Sequence, residues 1–205
     1  MTTWICKGAL ATFALTVLAA CEGGPTSGLF DGIGALAPEP KAFSRADMAG
    51  GAVTLMAPQG FCIDGRSLKQ RFALMARCDK LGVPSAAGAA PLGVITVSLS
   101  KAGADAVVPD QNVTAAALGL SAVSDPSGDA TSLVFRATGP APTDDLDSHH
   151  WRGTALINGQ IVGLALYGPK GGEDVTGEGR AILESVIAYL VLAVDFDAAD
   201  GSDAA

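Results

Sequence analysis

Short apolar runs alternate along the chain with stretches dense in Gly, Pro and Asp, and the spacing of the apolar positions predicts a mixed fold. Residues 52–57 (AVTLMA) form a short strand candidate, punctuated by Pro58, Gln59 and Gly60. Residues 61–67 read as a loop carrying Cys62 and Asp64. In residues 72–78, Phe72, Leu74, Ala76 and Cys78 alternate with Arg71, Ala73, Met75 and Arg77, which suits a strand with its two arginines facing water. Leu68, Phe72, Met75 and Ala76 also fit a helical stripe, and Ser67 with Gln70 resembles a capping box. A short turn followed by a strand is the reading preferred.

Residues 92–99 (LGVITVSL) are dense in β-branched side chains and predict a strand. Residues 114–120 predict a short helix, residues 126–129 a loop, and residues 132–138 (SLVFRAT) another strand. Residues 150–157 and 160–167 flank Asn158-Gly159. That dipeptide favours a type I′ turn because both residues tolerate positive φ, so a hairpin is expected. Residues 179–194 predict a terminal helix whose stripe Ile182, Val186, Tyr189, Leu190 and Ala193 lies on the sheet. Strands in local succession, one tight hairpin and a closing helix give an α+β class: a largely antiparallel sheet, a C-terminal helix packed on it, and one short additional helix.

The ends of the chain have a different texture. Residues 1–20 read as a leader, 21–42 as a flexible tether rich in Gly, Pro and Ala, 43–195 as the globular domain, and 196–205 as a disordered acidic tail. Hydrophobic residues make up 49% of the chain and aromatic residues 5%, so the core is expected to be built from small and aliphatic side chains. The formal net charge is -8, which argues against nucleic acid as a partner and against membrane attachment through a basic surface.

An anchor of another kind is written at the N-terminus. Lys7 precedes an uncharged apolar stretch, residues 8–17, too short to span a bilayer. Leu18-Ala19-Ala20-Cys21 follows directly. This tetrapeptide resembles the lipobox of bacterial lipoproteins. The resemblance implies a diacylglyceryl group on the Cys21 thiol, cleavage before Cys21, and a palmitate-bearing protein whose partner is the membrane. Each buried methylene contributes about 0.8 kcal/mol, and two or three chains hold a protein firmly. The second residue of the mature chain would be Glu22 rather than Asp, which by the same resemblance favours the outer membrane over the inner, facing the periplasm.

In that compartment Cys6 leaves with the leader and Cys21 is acylated, so Cys62 and Cys78 remain as a pair. A disulfide is the preferred reading, contributing roughly 3 kcal/mol by chain entropy. The element order looks like small lumenal and periplasmic domains of the PsbP-like or Mog1-like fold. The segment 58–81, together with His150-Trp151-Arg152-Gly153, also resembles uncharacterised lipoproteins of alphaproteobacteria, a likeness that implies no activity.

Candidate chemistry is sparse. Asp144, Asp145, Asp147, His149 and His150 offer carboxylate and imidazole ligands for a divalent metal, but adjacent histidines on a strand point to opposite faces. The bland alternative is a solvated acidic loop, and no metal or cofactor is expected. Asp64 is a candidate acid or base, more simply a turn-former. Gly168, Gly171, Gly172, Gly177 and Gly179 precede a helix without the register of a phosphate loop. Arg66, Lys69, Arg71, Arg77 and Lys80 offer a basic face or ordinary surface charge. Trp151 with Arg152 reads as a stacking pair or an aromatic anchor at a sheet edge. The function expected is a lipid-anchored envelope protein without catalysis, serving an unknown envelope partner as an assembly or adaptor factor. The alternatives are a small-ligand or metal-binding lipoprotein and a hydrolase with a carboxylate site.

Overall fold

The computed structural model describes residues 42–84, 90–172 and 177–202, with side chains as far as 193. The leader, Cys21 and nearly all of the tether lie outside the described residues. The described residues all belong to one compact unit, Pro38–Ala205.

Ten strands and two α-helices follow one another. They are β1 (Ala42–Phe43), β2 (Arg45–Met48), β3 (Val53–Met56), β4 (Phe61–Asp64), β5 (Phe72–Arg77), β6 (Val94–Lys101), α1 (Gln111–Leu118), β7 (Ser121–Gly128), β8 (Ser132–Thr138), β9 (Leu146–Ile157), β10 (Gln160–Pro169) and α2 (Gly179–Ser202). Eight strands form one sheet in the order β1-β4-β5-β6-β10-β9-β8-β7, with neighbours antiparallel throughout, and β2 pairs with β3 in a separate hairpin. The class is α+β, with α2 packed on the sheet and one other short helix.

The register divides side chains into two faces, because strand neighbours alternate sides. One row across the sheet runs Ile63, Met75, Ile95, Leu166, Trp151, Arg136 and Ser124. Its first five members are buried in the main core with Leu183, Val186, Ile187 and Leu190 of α2 and with Met48, Val53 and Leu55 of the β2–β3 hairpin. At roughly 1.5–3 kcal/mol for each large aliphatic side chain removed from water, this face supplies most of the folding drive. The adjacent row runs Cys62, Ala76, Val94, Tyr167, His150 and Ala137 on the opposite face. The strand order makes the chain leave β6 and travel past β10, β9 and β8 to reach β7. The helix α1 lies on that route, capped by Asp110, whose carboxylate accepts from the Asn112 and Val113 amides.

The expected hairpin forms between β9 and β10, with Asn158 at φ 45° and Gly159 at φ 70°, the left-handed pair a type I′ turn requires. Several sequence readings are corrected. Residues 61–64 are a strand, not a loop: Phe61 and Ile63 bury into the core while Cys62 turns to the other face. Residues 126–128 belong to the edge strand β7, where Pro126 is tolerated because one side of an edge strand has no ladder to donate to.

In β5 the buried side chains are Ala73 and Met75, whereas Phe72 is 39% exposed, so the alternation is inverted from that expected. Pairing of Ala73 with Val97 and Met75 with Ile95 puts them under the core, and the arginines escape to solvent only because they sit at the strand ends. The buried stripe of α2 is Leu183, Val186, Ile187 and Leu190, while Tyr189 is 36% exposed. This helix is apolar around most of its circumference, so periodicity alone does not select the packed side. Its backbone continues to Ser202, into the stretch read as an acidic tail. Among the described residues, no helix is long and apolar enough to cross a membrane.

Candidate functional site

Strand β9 sends its two histidines in opposite directions. His149 lies on the face shared with Trp151, at the uncovered end of the sheet, with its side chain 62% exposed. Its Nδ1 lies 3.1 Å from Asp147 Oδ1, and its backbone amide donates to the same oxygen at 2.9 Å. The Gly171 amide donates to Asp147 Oδ2 at 3.3 Å. These bonds, led by the His149 amide and then its ring, hold the Asp147 carboxyl down to about 2, because each stabilises the anion. An ionised Asp147 accepts the Nδ1 proton, so His149 Nε2 is left facing outward.

His150 is 1% exposed and built into the opposite face. Arg152 Nε donates to His150 Nε2 at 2.8 Å, so that nitrogen carries no proton and the neutral ring holds its proton on Nδ1. Nδ1–H then donates to the Ser148 carbonyl at 2.8 Å. Arg152 Nη2 donates to the Tyr167 hydroxyl at 2.9 Å, and the His150 and Tyr167 rings stack with centroids 4.5 Å apart. Burial, reinforced by the positive Arg152, pushes the His150 pKa down to about 4. The Arg152 pKa is lowered as well, chiefly by desolvation. Both ring nitrogens of His150 are thus committed within the protein.

The candidate metal ligands therefore separate. The fold brings His149 and Asp147 together and sends His150 to the other side of the sheet. Among the described residues no three His, Cys, Asp or Glu side chains converge as ligands would have to. Cys62 and Cys78 are joined in a disulfide with a Cα–Cα distance of 4.9 Å. Asp64 ends β4 and accepts from the Arg66 amide at 3.0 Å and from its guanidinium at 3.5 Å, a local turn bond. Arg77 forms a two-pronged pair with Asp79, with contacts of 2.9 and 2.7 Å, at the other end of β5 from Lys69 and Arg71, so the basic residues do not make one face. Trp151 and Arg152 point to opposite faces. β9 is interior to the sheet, so Trp151 is a core residue, covered by the Arg180 guanidinium at 5.4 Å.

Open clefts lie beside β7, β8 and the β8–β9 connection. One of about 450 Å³ is lined by Ala122, Val123, Ser124, Arg136, Thr138 and His149. A second, about 420 Å³, lies beyond His149 and includes Asp144, Asp147 and Lys170. A third, about 460 Å³, separates the β7–β8 turn from Ile187, Val191 and Leu192 of α2. Val191 and Leu192 are 41% and 51% exposed. The edge strand that borders the first and third of these clefts is irregular: its pairing with β8 shifts twice, and Ala122 and Asp125 adopt φ of 47° and 53°. A left-handed residue other than glycine costs about 1 kcal/mol, and such strain collects at sites of function.

Sequence reasoning missed Arg136, Ser124 and Thr138, and the network of Arg152 and Tyr167. A signal for the second existed. A two-residue turn fixes hairpin register, so counting outward from Asn158-Gly159 sets Tyr167 opposite His150.

No known protein-family model matches the chain, and no curated protein matches it. Among solved structures it is similar to CyanoP, the cyanobacterial PsbP of Synechocystis, with a TM-score of 0.41 and 11% identity over 80% of this chain and 97% of that one. PsbP is one of the families that the element order resembles; no residue role is carried across.

Proposed function

We propose that the protein is a lipid-anchored component of the bacterial cell envelope, held by acyl chains on Cys21 and acting as an assembly, adaptor or partner-binding factor without catalysis of its own. The anchor rests on Leu18-Ala19-Ala20-Cys21 behind a short apolar leader. The observation that carries the binding role is the open cleft of about 460 Å³ between the β7–β8 turn and the outer half of α2, bordered by the exposed Val191 and Leu192. The chemistry available there is recognition through apolar and hydrogen-bonding contacts. His150 has both ring nitrogens engaged within the fold.

Two measurements test this reading. Palmitate labelling of cells should mark the protein, and Cys21→Ser should abolish both the label and retention in the membrane fraction. An unlabelled wild type, or a serine variant held as firmly, would overturn the anchor. A photo-reactive residue at Leu192 should cross-link to a discrete envelope protein in living cells, while one at Lys69 should not. Equal products from both positions, or none from Leu192, would overturn the binding face. Density fractionation should place the label with the outer membrane.

A further inference from the structure

We infer that the cleft under the β7 edge is a binding site for a small soluble oxyanion, a phosphate group in particular. The inference stands apart from the envelope reading and rests on four features of one cavity.

The first is Arg136. It continues the row that begins in the core with Ile63 and ends at Ser124, one strand beyond Trp151. The residue is half-buried and lines the cleft, and among the described residues it makes no hydrogen bond and no ion pair. A guanidinium with a planar fork of donors and no carboxylate partner is chemistry suited to a phosphate or carboxylate ligand. The second is His149. It pairs with Thr138 and so sits diagonally from Arg136 on the same face, close enough for one bound anion to reach both. Asp147 holds its Nδ1, and the ring lines the same cleft as Arg136.

The third feature is the Thr138 side chain on the cleft wall, whereas the neighbouring Ser124 hydroxyl donates to Asp125. The fourth is the wall itself. β7 beside Arg136 has two register shifts and left-handed Ala122 and Asp125, and it borders a space of about 450 Å³. That volume holds a small ligand but no large cofactor. Two carboxylates flank the site. Asp147 is bonded to His149 and Gly171, and Asp125 accepts from the Ser124 hydroxyl at 3.0 Å. They limit affinity and favour a ligand whose charge is concentrated at the guanidinium. A small monoanion or dianion fits; a polyanion does not.

The test is calorimetric titration of the full-length protein in neutral detergent with inorganic phosphate, at fixed ionic strength set with sodium chloride. Saturable binding is expected. Arg136→Gln should weaken it about tenfold or more, the loss of a charge-assisted contact. His149→Gln should weaken it by roughly threefold, and Lys69→Gln should leave it unchanged. Arg136 holds nothing else in place, so unaltered melting of its variant separates a lost contact from a lost fold. Phenyl phosphate should compete with inorganic phosphate. No saturable phosphate binding, or equal binding by Arg136→Gln, would overturn the site. Binding only to phosphatidic acid vesicles would overturn the soluble source.

Discussion

His149 and His150 are neighbours in sequence and opposites in circumstance. His149 is exposed and touched on one nitrogen by a carboxylate; His150 is buried, bonded on both nitrogens and stacked on Tyr167. Nothing in the two side chains differs. A strand places successive residues on opposite faces, and one face of β9 at this point is closed while the other is open. The buried face turns an imidazole into an architectural part. The open face leaves an imidazole available for ligands. Chemistry in this domain is therefore assigned by face before it is assigned by residue type.

That division can be broken or sharpened by substitutions on each side. Cys62 stands in the same cross-sheet row as His150, and replacing both cysteines by alanine should lower stability by roughly 3 kcal/mol, read as an earlier denaturant midpoint. Arg152→Ala removes donors from His150 and Tyr167 together and should cost about 2 kcal/mol. It should also raise the His150 pKa, because the nearby positive charge is gone. Tyr167→Phe keeps the stacked ring but loses the acceptor for Arg152, and about 1 kcal/mol with it. On the open side, His149→Ala should change stability by no more than about 0.5 kcal/mol. A His149 variant as costly as Arg152→Ala would erase the contrast.

Much of the fold was legible from the pattern of residues. The β-branched run of β6, the Asn158-Gly159 hairpin and the terminal helix each carry a local signal strong enough to survive tertiary context. Four strands did not: β1 and β2, which lie in and just beyond the stretch read as tether, and β4 and β7. β4 is short and framed by Gly60 and Gly65, and β7 is polar, contains Pro126 and is partly unpaired, so both look like loops until a neighbouring strand supplies the ladder. The faces of β5 and α2 were chosen by packing against distant elements, which periodicity does not report.

The candidate site was hidden for a related reason. His149 and Asp147 lie two residues apart and could be read together. Arg136 and Ser124 come from other strands and meet His149 only through register. One trace was present: Ser132, Arg136 and Thr138 share a side of β8 with Val134, so the alternation marks a mostly polar side without showing which strands it meets.

The central contrast is tested most directly by following the His150 ring nitrogens by ¹⁵N NMR as pH falls. The folded site should keep Nε2 unprotonated and Nδ1 protonated through pH 5.5, titrating only near 4. The unfolded chain takes up its proton near 6.5, so stability should be full above that pH and decline as pH falls from 6.5 toward 4. A His150 ring that protonates near 6.5 in the folded protein, with no loss of stability across that range, would contradict the assignment.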